Sequence, residues 1–276
     1  MMFWIAHILF WCYTFALSSC NIKVHRPKFA TLLPSRRGVK SAPMAEPEVA
    51  AAAEEADRFY SANKPTEMYV HLIRFKDTTH DELLWRLARA CWSVGQLDRT
   101  SKDEKKKLTF DLHDFAKRAL KANDQNFASH KWYAISLSEI GDYLGTKMKI
   151  ENAFTIKDHF VRATELNPQD ATSIHLLGRW YFTFADMGWV QRKIATTVFA
   201  TPPSGTYDEA IEKFLHAEKM KPNFYSKNLL WLGKTYLKKG DKTSARTYFE
   251  KALNYSKETD EDKEVVEQAR LHLKSL

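Results

Sequence analysis

The chain has 276 residues, of which 44% are hydrophobic and 28% charged, and a net charge of +8. That balance allows a sizeable core and excludes wholesale disorder. Half of the charge lies in Met1 to Ala53, where Lys23, Arg26, Lys28, Arg36, Arg37 and Lys40 oppose only Glu46 and Glu48, so the rest of the chain lacks the basic signature of a nucleic-acid binder.

Met1 to Leu17 carries no formally charged side chain, and the weakly polar run extends to Cys20, near the roughly 20 residues that cross a bilayer as a helix. Residues 1–20 therefore read as a retained anchor, a cleaved secretory signal or another targeting segment. The basic residues follow the apolar run, and on an anchor the positive-inside rule would leave the rest of the chain in the cytosol. Residues 21–47, with Pro27, Pro34, Pro43 and Pro47 and no periodicity, read as a flexible basic tether. The folded domain is expected over 48–276, opening on an alanine-rich stretch with Pro47 in the first helical turn.

Apolar stripes at helical spacing then recur in pairs. Ala52, Ala56 and Phe59 precede Met68, Leu72 and Phe75. Leu84, Leu87, Ala88 and Cys91, with Asp81 as the expected N-cap, precede Leu112, Ala116 and Ala119. His130, Tyr133, Ala134 and Leu137 precede Ile156, Phe160 and Ala163. Ile174, Leu177, Gly178 and Tyr181 precede Ala210, Phe214 and Ala217, and the last pair runs from Leu229, Leu232, Gly233 and Tyr236 to Ala245, Phe249 and Ala252. After Thr259, acidic residues lead and Arg270 and Lys274 trail, as a helix dipole favours, and Val265, Ala269 and either His272 or Leu273 give the segment one apolar side. The spacing of a bulky residue, Leu-Gly, Tyr, then Ala, Phe, Ala and a closing Pro resembles the tetratricopeptide repeat. The expected fold is all-α, a tetratricopeptide-like helical solenoid of about five helix pairs plus a C-terminal cap helix. Extra residues near 95–108, 140–152 and 184–206 are expected to form loops on one side of the stack.

Chemistry is sparse. The His residues form no His-Glu-x-x-His or Cys/His cluster, Cys12, Cys20 and Cys91 suggest neither a disulfide framework nor a metal site, and no glycine-rich phosphate loop occurs. No cofactor and no catalytic set is expected, and a reducing, cytosol-facing location is the default. Binding is the better candidate. In such a stack the first helices line a concave groove, here with Trp85, Arg89, Trp92, Lys131, His175, Arg179, Lys227, Lys234 and Lys238. A wall of one sign favours an extended acidic segment, although long basic side chains also serve simply to cover apolar surface. The longest detour, Thr183 to Thr206, reads as a short extra amphipathic helix, ended by Pro202-Pro203, that folds back on its own repeat.

Whole strings carry a more specific likeness. Phe127-Ala128-Ser129-His130-Lys131-Trp132-Tyr133, Gly141-Asp142-Tyr143, Pro168 to Leu177, Phe199 to Ser204 and Asn223 to Leu230 are of a kind that generic repeat rules do not dictate. Over Glu54 to Asp262 the chain resembles the regulator of microtubule dynamics family. The resemblance implies a non-enzymatic, microtubule-associated protein of the cytoplasm, microtubule cytoskeleton and spindle pole, with acidic tubulin tails as groove ligands. A related member at contacts between endoplasmic reticulum and mitochondria implies the alternative, a membrane-anchored tether that binds phospholipid, with the membrane reached through residues 1–20 and with Trp189 and Phe199 helping to enclose an apolar pocket.

Overall fold

The computed structural model describes residues 44–198, 203–256 and 259–276. These form twelve α-helices, and among the described residues there is no strand. The first pair is α1 (Glu46–Ser61) and α2 (Pro65–Ile73), the second α3 (Asp81–Gly95) and α4 (Lys102–Ala122), and the third α5 (Phe127–Leu144) and α6 (Thr146–Leu166). The fourth pair, α7 (Ala171–Ala185) and α9 (Tyr207–Met220), encloses the short α8 (Trp189–Val198). The fifth is α10 (Ser226–Lys239) and α11 (Lys242–Leu253), and α12 (Asp260–Ser275) closes the stack. The tetratricopeptide-like solenoid is present, with its cap helix. Helix α1 starts at Glu46, with Pro47 in its first turn. The segments 1–20 and 21–43 lie outside the described residues, and among the described residues no helix is long and apolar enough to cross a membrane.

The expected stripes are the core. Leu84, Leu87, Ala88, Cys91, Phe160, Ile174, Phe214, Leu232, Ala245 and Phe249 are all buried. Tyr236 is half-buried and stacks on Tyr248 with ring centroids 5.6 Å apart. The Leu-Gly pairs have a steric reason. A Cβ on Gly178 would lie 2.8 Å from the Phe214 ring, and one on Gly233 would lie 2.5 Å from the Phe249 ring. Each glycine thus lets the phenylalanine of the second helix press against the backbone of the first, closer than any side chain allows.

Helix starts follow local capping chemistry. Ser101, Asn126, Asp170, Thr206, Asp241 and Thr259 each accept a hydrogen bond from a first-turn backbone N–H, and Thr206 with Glu209 and Thr259 with Asp262 form reciprocal capping boxes. Asp81 is not the cap expected of it. It is the first residue inside α3, where its carboxylate accepts from the amides of Asn123 (2.9 Å) and Asn126 (2.7 Å) and ties α3 to the α4–α5 turn.

One expected loop is only partly a loop and another is helix. Residues 96–101 connect α3 to α4, residues 102–108 are the first turns of α4, and residues 140–152 lengthen α5 and α6, interrupted at Gly145. Residues 102–108 are mostly good helix formers without proline, and Gly145, at φ +91°, supplies the reversal between α5 and α6. The third insertion builds α8, which packs against α6.

A cationic seat on the inner wall

The first helices line one wall: α3 touches α1 and α5, and α10 touches α7 and α12. The sequence places basic and aromatic residues along it, but tertiary structure assigns most of them acidic partners from the neighbouring repeat.

At the N-terminal end, the Arg89 guanidinium donates to Asp57 Oδ1 (2.5 Å), and Arg86 grips the same carboxylate while also donating to Glu82. Burial pushes the Asp57 pKa up, but the two arginines more than offset this and hold it below the ordinary value. Trp85 is the platform for both, with its ring 4.0 Å from the Arg86 carbon and 4.9 Å from that of Arg89. Further along, Trp92 Nε1 donates to Glu139 Oε1 (3.2 Å) and its ring meets Trp132 edge-on. Burial raises the Glu139 pKa above the usual carboxylate value. Lys131 donates to Asp170 Oδ2 (3.0 Å), the same carboxylate that caps α7, and burial pulls the Lys131 pKa down despite that partner. Lys238 is ion-paired to Asp186 at 2.8 Å.

His175 is not on the open wall. It is 2% exposed, with Nδ1 2.8 Å from Asn228 Oδ1 and its ring against Phe214 and Tyr225. Burial takes its pKa down to about 3, so it is a neutral core residue. Trp189 is 73% exposed, with the Lys193 ammonium 5.2 Å from its ring, so it stands largely in solvent and not in an enclosed apolar site among the described residues. Phe199 lies outside the described residues.

Three predicted cations do converge. The Arg179 guanidinium carbon lies 3.2 Å from the ring centre of Trp231, and Lys234 Nζ lies 4.8 Å from it. Burial and then the Arg179 charge take the Lys234 pKa down to about 8, with a further push from Lys227. These groups come from α7 and α10, helices far apart in the chain, and Trp231, absent from the sequence candidates, is the surface that gathers them. Around them stand residues of α12. Glu261 is ion-paired with Lys227, Gln268 Oε1 accepts from Lys234 (2.7 Å), and the Glu264 charge acts on Lys234 in the stabilising direction. The acidic partners Asp57, Asp170, Asp186 and Glu261 also escaped the sequence reading, because nothing local links them to the cations they meet. Among the described residues no cluster of His, Cys, Asp and Glu is arranged to hold a metal ion.

Comparison with known proteins decides the family. Residues 52–276 match the family described as Regulator of microtubule dynamics protein 1-3. The chain belongs to that family. It is 53% identical over 216 residues to Regulator of microtubule dynamics protein 1 of Pongo abelii, covering 78% of this chain and 69% of the relative. To the Homo sapiens protein of the same name it is 58% identical over 185 residues, 67% of this chain and 59% of the relative. The Regulator of microtubule dynamics protein 3 of Rattus norvegicus is 33% identical over 67% of this chain and 39% of its own length. A tetratricopeptide-repeat protein of Thermus thermophilus has the same fold with a TM-score of 0.57, covering 81% of this chain and 99% of its own, at 13% identity. In this member of the regulator of microtubule dynamics family the seat around Trp231 falls inside the matched region, as do α10 and α12.

Proposed function

We propose that this chain is a non-enzymatic, microtubule-associated regulator of cytoplasmic and spindle microtubules, and that it takes acidic tubulin tails at the seat formed by Arg179, Lys227, Lys234 and Trp231. The family and the names of its relatives support the microtubule role. The seat is supported by one observation: the Arg179 guanidinium carbon lies 3.2 Å and Lys234 Nζ 4.8 Å from the Trp231 ring centre, with Lys227 on the same helix as Lys234, so like charges crowd one spot. An incoming carboxylate relieves that repulsion. Along the rest of the wall Arg89, Lys131 and Lys238 are each paired with a carboxylate, and within the seat Lys227 is paired with Glu261.

Co-sedimentation with microtubules, repeated after proteolytic removal of the tubulin tails and at rising salt, tests the reading. Binding should weaken without tails, fall with salt as exposed charges are screened, and be largely lost in Lys227→Glu with Lys234→Glu. Binding indifferent to tails, salt and these substitutions would remove the seat from the account.

A further inference from the structure

The cap helix does more than cover the last repeat. Glu261, Glu264 and Gln268 fall at i, i+3 and i+7, one side of α12. The adjoining side carries Val265, Val266 and Ala269, all buried, and His272, which stacks on Phe249 at 4.6 Å. The apolar side fixes α12 on α11, and in doing so it lays the polar side along α10. There Glu261 pairs with Lys227 and Gln268 accepts from Lys234, two lysines themselves seven residues apart on one face of α10. Two rows of matching pitch therefore face each other, one basic and one largely acidic. Neither glutamate is deeply buried: Glu261 is one-third exposed and Glu264 is open to solvent. Their side chains can swing away while the helix stays packed.

We propose that the Glu261–Glu264 edge of α12 is a built-in competitor for the cationic seat, so that an acidic partner must displace Glu261 from Lys227 and compete with the Glu264 charge beside Lys234 in order to bind. This rests on the reading of the seat as a place for acidic segments. It deepens that reading by making affinity a contest between internal and external carboxylates around the same lysines. The contest sets a selectivity: an isolated carboxylate gains nothing by replacing Glu261, whereas a segment presenting several carboxylates in succession outweighs the internal pair.

The probe is a fluorescently labelled peptide of consecutive glutamates, with anisotropy measured on the full chain at low salt. Glu261→Gln with Glu264→Gln should bind the peptide about fivefold more tightly than the unmodified protein, the factor that removing about 1 kcal/mol of ion pairing gives. Glu250→Gln with Glu267→Gln, the same change in net charge on residues that do not touch Lys227 or Lys234, should leave binding unchanged. Thermal melts check that α12 stays folded in each variant. Equal affinity of the unmodified and Glu261/Glu264 proteins, with binding still lost in Lys227→Gln with Lys234→Gln, would overturn the competitor while leaving the seat intact. No peptide binding by any of these proteins would overturn the seat itself.

Discussion

The Nδ1 atom of His175 on α7 lies 2.8 Å from the amide oxygen of Asn228 on α10, and the Asn228 amide nitrogen donates onward to the carbonyl of Phe214 at the centre of α9. Because the carbonyl can only accept, the Asn228 nitrogen faces Phe214 and its oxygen faces His175. The imidazole must then carry its proton on Nδ1. One buried amide thus joins three helices of two successive repeats, and Asn228 itself is fully buried.

Asn228→Ala removes these two hydrogen bonds and a third, from the Asn228 amide to Glu218 Oε2 (3.2 Å), while leaving His175 Nδ1–H and the Phe214 carbonyl buried. Unfolding in urea should show a loss of about 2–3 kcal/mol. A loss below a few tenths would mean that water reaches the gap.

The same histidine makes the fold acid-sensitive. His175 is taken down to about 3 by burial, and His159, half-buried beside His130, to about 4 by burial and then by that neighbour. In the unfolded chain both titrate near 6.5. Below that pH the unfolded state binds protons that the folded state refuses, so their contribution to stability is complete above about 6.5 and is lost as pH falls toward about 4 and 3. Urea midpoints should be flat above neutrality and fall below it, and His175→Gln should reduce the slope. An unchanged slope would assign acid sensitivity to other groups.

Phe249 fills the space that Gly233 leaves open, and both belong to the last complete repeat. Phe249→Ala should cost about 3–5 kcal/mol. Gly233→Ala should cost about 1–3 kcal/mol, because the added methyl meets the ring at 2.5 Å and the buried ring has little room to retreat. The double variant should lose less than the sum, since the methyl enters the space vacated by the ring. Strict additivity in denaturation experiments would show that the two positions do not share that space.

Asp57 holds α1 to α3 through Arg86 and Arg89, whose side chains are only 11% and 10% exposed. Asp57→Ala leaves both guanidinium groups without that carboxylate. The Asp57 side chain is itself 40% exposed and screened by water, so the expected cost is moderate, about 1–2 kcal/mol. Because α1 is the first of the described helices and meets the rest of the stack through α2 and α3, the loss should be local, with faster amide exchange and earlier proteolysis within Glu46–Ser61 than elsewhere. Uniform exchange across the chain would instead mean that the first pair unfolds only with the whole.

The sequence by itself determined the repeat. Leu229, Leu232, Gly233, Ala245, Phe249 and Ala252 sit at helical spacing, and periodic burial is a local property that any chain with this pattern must satisfy by pairing helices. It also placed Arg179, Lys227 and Lys234 on one wall, because their positions follow from the same period. Only the tertiary structure decided which charges meet. Asp57 with Arg89, Asp170 with Lys131 and Glu261 with Lys227 are each separated by more than thirty residues, and each depends on how one helix pair stacks on the next. The sequence counted cations along the groove. Stacking angles and side-chain reach then paired Arg89, Lys131, Lys227 and Lys238 with carboxylates, turned His175 inward, left Trp189 largely in solvent and set Arg179 and Lys234 against the Trp231 ring.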